Sequence, residues 1–382
     1  MKTIVVAFGT RPEAIKLVPV INALSAAPNV DTRVLLTGQH REQLDMVLSA
    51  FAIPVDADLN VMTERQRLPE LVAQIVPRTS EQLRGLSADF VIVQGDTLTT
   101  FCVSLAAFFE GVPIAHVEAG LRTGTLREPF PEEASRRLTA VITDLHLAPT
   151  PQAKMNLLQE GVRGDGIVVT GQTAVDAIRL AANHANAVLP AGIPADRLVT
   201  VTLHRRENWP RLADLARTLA RLAGEHRTHT FVFPVHLNPV VREAVFPVLR
   251  GVSNFRLIDP LDYFSMAALL SHSALVITDS GGIQEEAVTL GVPVAVIRNV
   301  TERPEGVTTG GIVLAGNDPE RAYRVIRELL QKARGRASSA ANPYGDGRAG
   351  DRVAQAVIWR LGLGDRPEDW NPIGRSRAGV AL

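Results

Sequence analysis

Apolar positions along this chain switch between two periods. TIVVAF (residues 3–8) is a short unbroken apolar run and reads as a buried strand. RPEAIKLVPVINALSAA follows it with apolar residues at helical spacing. VDTRVLLTGQ reads as the next strand, a helix is expected over about Arg41–Phe51, and DFVIVQGD returns to β. A helix through Leu98–Glu110 leads into VPIAHVEAG. From Glu132 onward, Ala134, Leu138, Val141, Ile142 and Leu145 fall on one helix face, and LHLAPT and GIVVTGQ close the series. Strand–helix alternation of this kind predicts a mostly parallel sheet covered on both faces.

After a looser segment rich in Ala and Pro the pattern restarts. RLVTVTLH, HTFVFPVH, NFRLIDP, ALVITDSGG and VPVAVIRN are strand-like, with helical stretches between them. The expected fold class is therefore α/β, with two Rossmann-like doubly wound domains and a ligand cleft between them. Open sheets of this type bind ligands beyond the carboxyl ends of their strands. The first domain is expected over residues 1–172 and the second, nucleotide-binding one over 173–363, with the hinge near Gly171–Asp176. A late helix over about Asp351–Leu361 is expected to return to the first domain. Residues 364–382 show no periodicity and are expected to form a loosely ordered tail.

Composition narrows the function. A length of 382 residues suits two or three domains, and 46% hydrophobic against 21% charged residues is an ordinary globular balance. Lys+Arg and Asp+Glu are both 40, so no bulk charge draws the chain to nucleic acid or membrane. The single cysteine, Cys102, excludes an internal disulfide, a zinc knuckle and an epimerase built on two facing thiols. His226 and His229 have no spacing that suits a metal pair with further ligands, and they read as surface groups; no metal site is expected. The opening apolar run is too short for a secretory leader, and no run approaches the roughly 18–20 residues of a membrane span. A soluble cytoplasmic protein is expected.

Candidate chemistry gathers where strands end. FGTRPEAIK puts Gly9, Thr10, Arg11 and Lys16 at the first strand–helix turn, where a helix N-terminus already favours anions. A tight turn with a surface Arg and Lys would look the same. TDSGGIQEEAVTLGVP follows a buried strand with Ser280, Gly281 and Gly282. Two residues without Cβ let backbone N–H groups approach a phosphate, and Glu286, a turn further on, could accept from ribose hydroxyls. The plainer account is a glycine-rich turn whose acids complement the helix dipole. No GxGxxG follows the first strand, which argues against a nicotinamide dinucleotide site. VQGDT ends a strand with Asp96, HVEAG with Glu118, and VTLHRREN with His204, Arg205 and Arg206. Each alone reads equally as a loop or capping group; three such ends converging on one cleft point to acid–base chemistry. Glu132 and Glu133 open a helix after a loop broken by Gly120, Gly124, Pro129 and Pro131. Helix-start acids paired with Arg136 and Arg137 explain the helix but not the long loop.

GTRPEAIKLVPV, TGQHREQLD, QGDT, HVEAGLRTG with PFPEE, HRREN, PVHLNPVVRE, TDSGGIQEEA with LGVPV, TERPEGV and NPYGDG occur in this order in one chain. Together, over about Met1–Leu363, they resemble the bacterial non-hydrolysing UDP-N-acetylglucosamine 2-epimerase family. The resemblance implies a glycosyltransferase-B-like fold, no cofactor, and interconversion of UDP-GlcNAc and UDP-ManNAc for cell-surface polysaccharide. The family's route is elimination of UDP to 2-acetamidoglucal and re-addition. By position Arg11, Lys16, Ser280, Gly281, Gly282, Glu286 and Arg303 would hold UDP. Met266 stands where relatives can place an aromatic against the uracil. Asp96, Glu118, Glu132 and His204 are the implied catalytic groups, with Asp96 the first candidate for the base. Gln39, His40, Arg65, Gln66, Arg206 and His236 match a second, regulatory UDP-GlcNAc site, and a homodimer is implied. Leu203 precedes HRRE where relatives often carry a smaller residue. Three rivals share parts of this inventory. A UDP-sugar glycosyltransferase would need an acceptor groove. A hydrolysing epimerase usually carries a fused kinase domain, for which this length leaves no room. A UDP-sugar sensor would not need the acids and histidine together.

Overall fold

Buried apolar runs become strands and the amphipathic stretches between them become helices, in two separate parallel sheets. The protein is represented by a computed structural model that describes residues 1–38, 41–61, 66–301, 304–332 and 342–372. The chain divides into two compact units, Met1–Ala177 with Gly345–Leu382, and Ile178–Tyr344.

In the first unit the order is β1 (Lys2–Phe8), α1 (Arg11–Ser25), β2 (Val30–Leu36), α2 (Arg41–Ala50), β3 (Ala57–Asp58), α3 (Leu68–Gly85), β4 (Phe90–Gln94) and α4 (Leu98–Phe109). Then come β5 (Ile114–Val117), α5 (Glu132–Val141), β6 (Leu145–Ala148), α6 (Pro151–Gln159), β7 (Ile167–Val169) and α7 (Thr173–Ala182). The sheet order is β3-β2-β1-β4-β5-β6-β7. All its pairings are parallel. The order reverses between β1 and β4, so the turns after these two strands flank the switch point where such sheets bind ligands.

The second unit repeats the plan. It runs β8 (Leu198–Thr202), α8 (Leu212–Glu225), β9 (Thr230–Pro234), α9 (Pro239–Leu249), β10 (Phe255–Ile258) and α10 (Tyr263–Ser271). It continues with β11 (Ser273–Thr278), α11 (Gly281–Thr289), β12 (Val294–Val296), α12 (Pro304–Thr308), β13 (Ile312–Leu314) and α13 (Pro319–Lys332). The order β10-β9-β8-β11-β12-β13 places its switch point between β8 and β11. Leu203, which stands where relatives often carry a smaller residue, is buried in this unit's apolar core with Val201, Phe233 and Ile277.

The last helix, α14 (Ala349–Arg360), belongs to the first unit and lies on α1. Asp176 of α7 accepts a hydrogen bond from the Gly350 N–H at 2.8 Å, tying α7 to the start of α14. The expected hinge near Gly171–Asp176 includes the start of α7, and the division into units falls just beyond it, inside that helix at Ala177/Ile178. One expectation needs correction. Residues 364–372 are not loose. Trp370 is buried and donates its backbone N–H to the Val169 carbonyl at 2.7 Å, and Asp369 pairs with Lys154 at 2.7 Å. Residues 373–382 lie outside the described residues. Helix α3 is faint in the sequence, because Pro77 sits within it and charged residues dilute its apolar face. Leu71, Ile75, Thr79 and Leu83 nevertheless recur every fourth position and are all buried.

Candidate active site

In the first unit the expected acids stand at adjacent strand ends. Glu118 follows β5 directly and is only 6% exposed. Its φ of +68° is in the left-handed region, which a non-glycine residue occupies at a cost and which concentrates at functional sites. Lys16 of α1 pairs with Glu118 Oε2 at 2.6 Å. Gln94, the last residue of β4, donates from Nε2 to the same oxygen. Gln172 donates to Oε1 at 2.9 Å. Lys16 was expected on UDP; here its ammonium sits on a catalytic candidate.

Asp96 lies two residues after the end of β4 and forms an ion pair with Arg136 of α5. The other arm of Arg136 binds Glu133, which also accepts from Arg137 at 3.0 Å. The stretch HVEAGLRTGTLREPFPEEASRR therefore divides by role. Glu133 is fully buried and holds two arginines, one of which reaches Asp96. Glu132 is half-buried, and its Oε2 is buried without a hydrogen-bond partner among the described residues. A carboxylate oxygen left bare in this way costs free energy unless a ligand or water meets it.

Two buried groups missed by the sequence reading hold these turns together. Glu13 is 2% exposed. Its Oε2 accepts from Gly9 N at 3.1 Å, Thr10 N at 2.8 Å and Thr10 Oγ1 at 2.7 Å. Its Oε1 accepts from Thr97 Oγ1 at 2.6 Å. One carboxyl group thus binds the turn carrying Arg11 to the turn carrying Asp96, and burial pushes its pKa up. The spacing Thr10-x-x-Glu13 reads as a capping box and gave no hint of the link to Thr97. His116 of β5 donates from Nε2 to the Gly95 carbonyl at 2.7 Å. Burial holds its pKa down to about 4, so the ring is neutral near pH 7.

In the second unit the chemistry also flanks the switch point. Asp279, fully buried after β11, accepts the backbone N–H groups of His204 and Arg205 at 3.1 and 3.0 Å and the Asn208 side chain at 3.0 Å. His204 Nδ1 lies 3.4 Å from Asp279 Oδ1. Burial lowers the His204 pKa and Asp279 opposes the shift. The His204 ring stacks on His236 with centroids 5.8 Å apart. Ser280 stands at the N-cap of α11, and its N–H donates to Thr278 Oγ1 at 2.9 Å. No atom of the described residues lies within 4 Å of where a Cβ on Gly282 would sit. The protein's own packing therefore does not demand glycine there. Met266 borders a small apolar cluster with Leu198, Val232 and Leu269. Glu286 lies on α11, near enough to Tyr263 to act on its hydroxyl, which is buried without a hydrogen bond among the described residues.

The structure thus gathers Lys16, Asp96 and Glu118 at the strand ends of the first unit, with Glu132 opening the helix that carries Arg136. It gathers His204, His236 and Ser280 at those of the second. Arg11 opens α1 half-buried, and Gln66 precedes α3. Arg206 lies 5.7 Å above the Trp209 ring. Gln39, His40, Arg65 and Arg303 lie outside the described residues. A cavity of ≈ 500 Å³ in the first unit holds none of the expected site residues; Arg137, His146, Glu160 and Arg163 are among its walls. Among the described residues no cluster of acids, histidines or cysteine could hold a metal ion.

A sequence profile of the UDP-N-acetylglucosamine 2-epimerase family matches residues 22–358. The chain belongs to this family. It is 45% identical over 360 residues to the UDP-N-acetylglucosamine 2-epimerase of Bacillus subtilis (strain 168), covering 93% of this chain and 94% of the relative. The crystal structure of the family's Neisseria meningitidis enzyme bound to UDP-GlcNAc superposes with a TM-score of 0.81 at 39% identity, covering 94% and 99% of the two chains. The Methanocaldococcus jannaschii enzyme in complex with UDP-GlcNAc and UDP gives 0.76 at 31% identity, covering 94% and 100%. The glycosyltransferase-B-like architecture expected from the motifs is therefore that of the family's solved members.

Proposed function

We propose that this chain interconverts UDP-GlcNAc and UDP-ManNAc by inverting C2, without hydrolysis. The observation that carries the reading is the pairing of family membership with the candidate acid–base set: Asp96, Glu118 and Glu132 on one unit, His204 on the other. The C2 proton of the sugar has no adjacent carbonyl and is not acidic enough for direct abstraction. Elimination of UDP across C1–C2 gives 2-acetamidoglucal, and re-addition with a proton on the opposite face gives the epimer. Such a path needs donors for the departing diphosphate and acid–base groups for both ring faces. The N-terminus of α11 at Ser280 and the Arg11 guanidinium are the donors proposed for it. Asp96 is the first candidate to take the proton, with Glu118 and Glu132 as partners and His204 at the leaving group.

The same reading includes a homodimer, a second activating UDP-GlcNAc at Gln39, His40, Arg65, Gln66, Arg206 and His236, a cytoplasmic setting, and ManNAc supply for a surface polysaccharide. Exposed Phe108, Phe109, Leu138 and Val141 on the packed pair α4 and α5 favour self-association. No helix among the described residues is long and apolar enough to cross a membrane.

The test is NMR of the purified protein, its mass fixed by light scattering, with UDP-GlcNAc in D2O and no nicotinamide cofactor. UDP-ManNAc with deuterium at C2 is expected, at a rate that rises sigmoidally with substrate. Free sugar with UDP, or no change, overturns the epimerase reading. A monomeric mass or a hyperbolic rate curve removes the dimer or the activating site.

A further inference from the structure

Glu118 accepts from three side-chain donors that come from three separate segments of the chain. Lys16 comes from α1, Gln94 from the end of β4, and Gln172 from the turn between β7 and α7. The two glutamines are each 3% exposed. Gln94 stands beside Val117 in the β4–β5 register, one residue before Glu118. Gln172 follows Gly171, whose φ is +85°.

The chemistry of these contacts is one-sided. An ionised carboxylate only accepts hydrogen bonds, whereas its protonated form must also donate one. Lys16 Nζ and the two amide N–H groups all donate, and they occupy both oxygens. The orientation of Gln172 leaves its own Oε1 buried without a partner among the described residues. Rotating the amide would direct that oxygen at Glu118, a contact that is favourable only if Glu118 carries a proton to donate. The amide thus accepts a bare carbonyl in order to donate to the carboxylate. Glu118 meanwhile is kept in a left-handed backbone conformation that surrounding structure must enforce.

We propose that Gln94 and Gln172 are positioning residues for the epimerisation: with Lys16 they clamp Glu118 as an ionised, proton-accepting carboxylate in one orientation. This rests on the epimerase reading of the site. In the direction in which Glu118 acts first, the C2–H electrons form the C1–C2 double bond as the C1–O bond to UDP breaks. The proton passes to a carboxylate, and the diphosphate oxygen keeps the electron pair. The reverse direction returns the proton from the same group, which the clamp then restores.

The experiment compares wild type, Gln94→Met, Gln172→Met and Glu118→Gln, and each methionine change combined with Glu118→Gln. Deuterium incorporation at C2 and UDP-ManNAc formation give kcat and KM. UDP affinity by calorimetry and melting temperature report on binding and folding. Met matches the length of Gln and removes the donor. Each single methionine change is expected to lower kcat by at least about tenfold, with KM and UDP affinity within about twofold. In the Glu118→Gln background the same changes are expected to cost nothing further, because the group they orient is gone. The clamp is overturned if kcat stays at wild-type level, if the loss falls on KM, or if it multiplies unchanged onto Glu118→Gln. Should Gln94→Met not fold, Gln172→Met decides alone. Wild type that exchanges no C2 proton overturns the epimerase reading; active wild type with indifferent glutamines overturns only the clamp.

Discussion

Asp279 is the residue on which the second unit's chemistry turns. It is fully buried and accepts two backbone N–H groups, those of the catalytic candidate His204 and of Arg205, besides the Asn208 amide. Hydrogen bonds to a buried charge are stronger than neutral ones, and stranded donors are costly. Asp279→Asn turns an NH2 group toward donors that need an acceptor. It is expected to cost about 2–3 kcal/mol, read as a lower urea midpoint with unchanged slope, and to slow epimerisation by displacing His204. An unchanged midpoint would mean that the loop after β8 is held by other contacts. Asp279 was quoted within TDSGG in the sequence, yet only its partners, 75 and 74 residues away, show what it does.

At the scale of elements, α14 shows how the last helix is bound to the first unit. Gly350 lies against α1, where a Cβ would stand 2.7 Å from the Pro19 backbone carbon. Gly350→Ala therefore sets two effects against each other. Helix propensity favours Ala by about 1 kcal/mol. The overlap with backbone cannot be relieved by a rotamer and costs about 1–3 kcal/mol or more. The steric effect is expected to win, giving a lower melting temperature and faster amide exchange in α14 and α1. Exchange unchanged in both helices would show that α14 shifts without loss. The same scale explains what the hydrophobic pattern concealed. Pro77 and charged neighbours masked α3, and the docking of Trp370 and Asp369 could not be read from an aperiodic tail. Periodicity reports a continuous face; it is silent on single anchors.

For the whole molecule, acid stability follows from groups buried in the wrong protonation state for low pH. Burial holds His116 near 4 and His146 near 3, against an ordinary value of 6.5. Above 6.5 both rings are neutral, folded or unfolded. As pH falls from 6.5 to about 4 for His116, and to about 3 for His146, the unfolded chain binds protons that the buried rings do not, so stability is lost. Asp176 runs the other way. Burial raises it to about 6, so from there down to its ordinary 3.8 the folded chain holds a proton that the unfolded chain lacks, and gains stability. Glu13 is raised by burial too and acts in the same sense. Differences against wild type isolate the histidines. His116→Gln and His146→Gln are each expected to flatten the loss between pH 6.5 and 4 by up to about 1.4 kcal/mol per pH unit, measured by urea unfolding across pH. Parallel profiles for variant and wild type would mean that these rings titrate normally.

The order of apolar runs and motifs carried the fold class, the family and the position of the candidate groups at strand ends. Buried parallel strands are written as continuous apolar runs, so local spacing was enough to place Asp96, Glu118, His204 and Ser280 in the turns just after strands. The tertiary structure alone decided which groups touch. It placed Lys16 on Glu118, Arg136 on Asp96, Glu13 on Thr97, and two glutamines around one carboxylate. Gln94 and Gln172 were visible beside glycines in VQGDT and TGQT. Their meaning depends on three chain segments meeting within hydrogen-bond distance, and contacts that reach Glu118 from 24 and 54 positions away leave no mark on any one segment's own pattern.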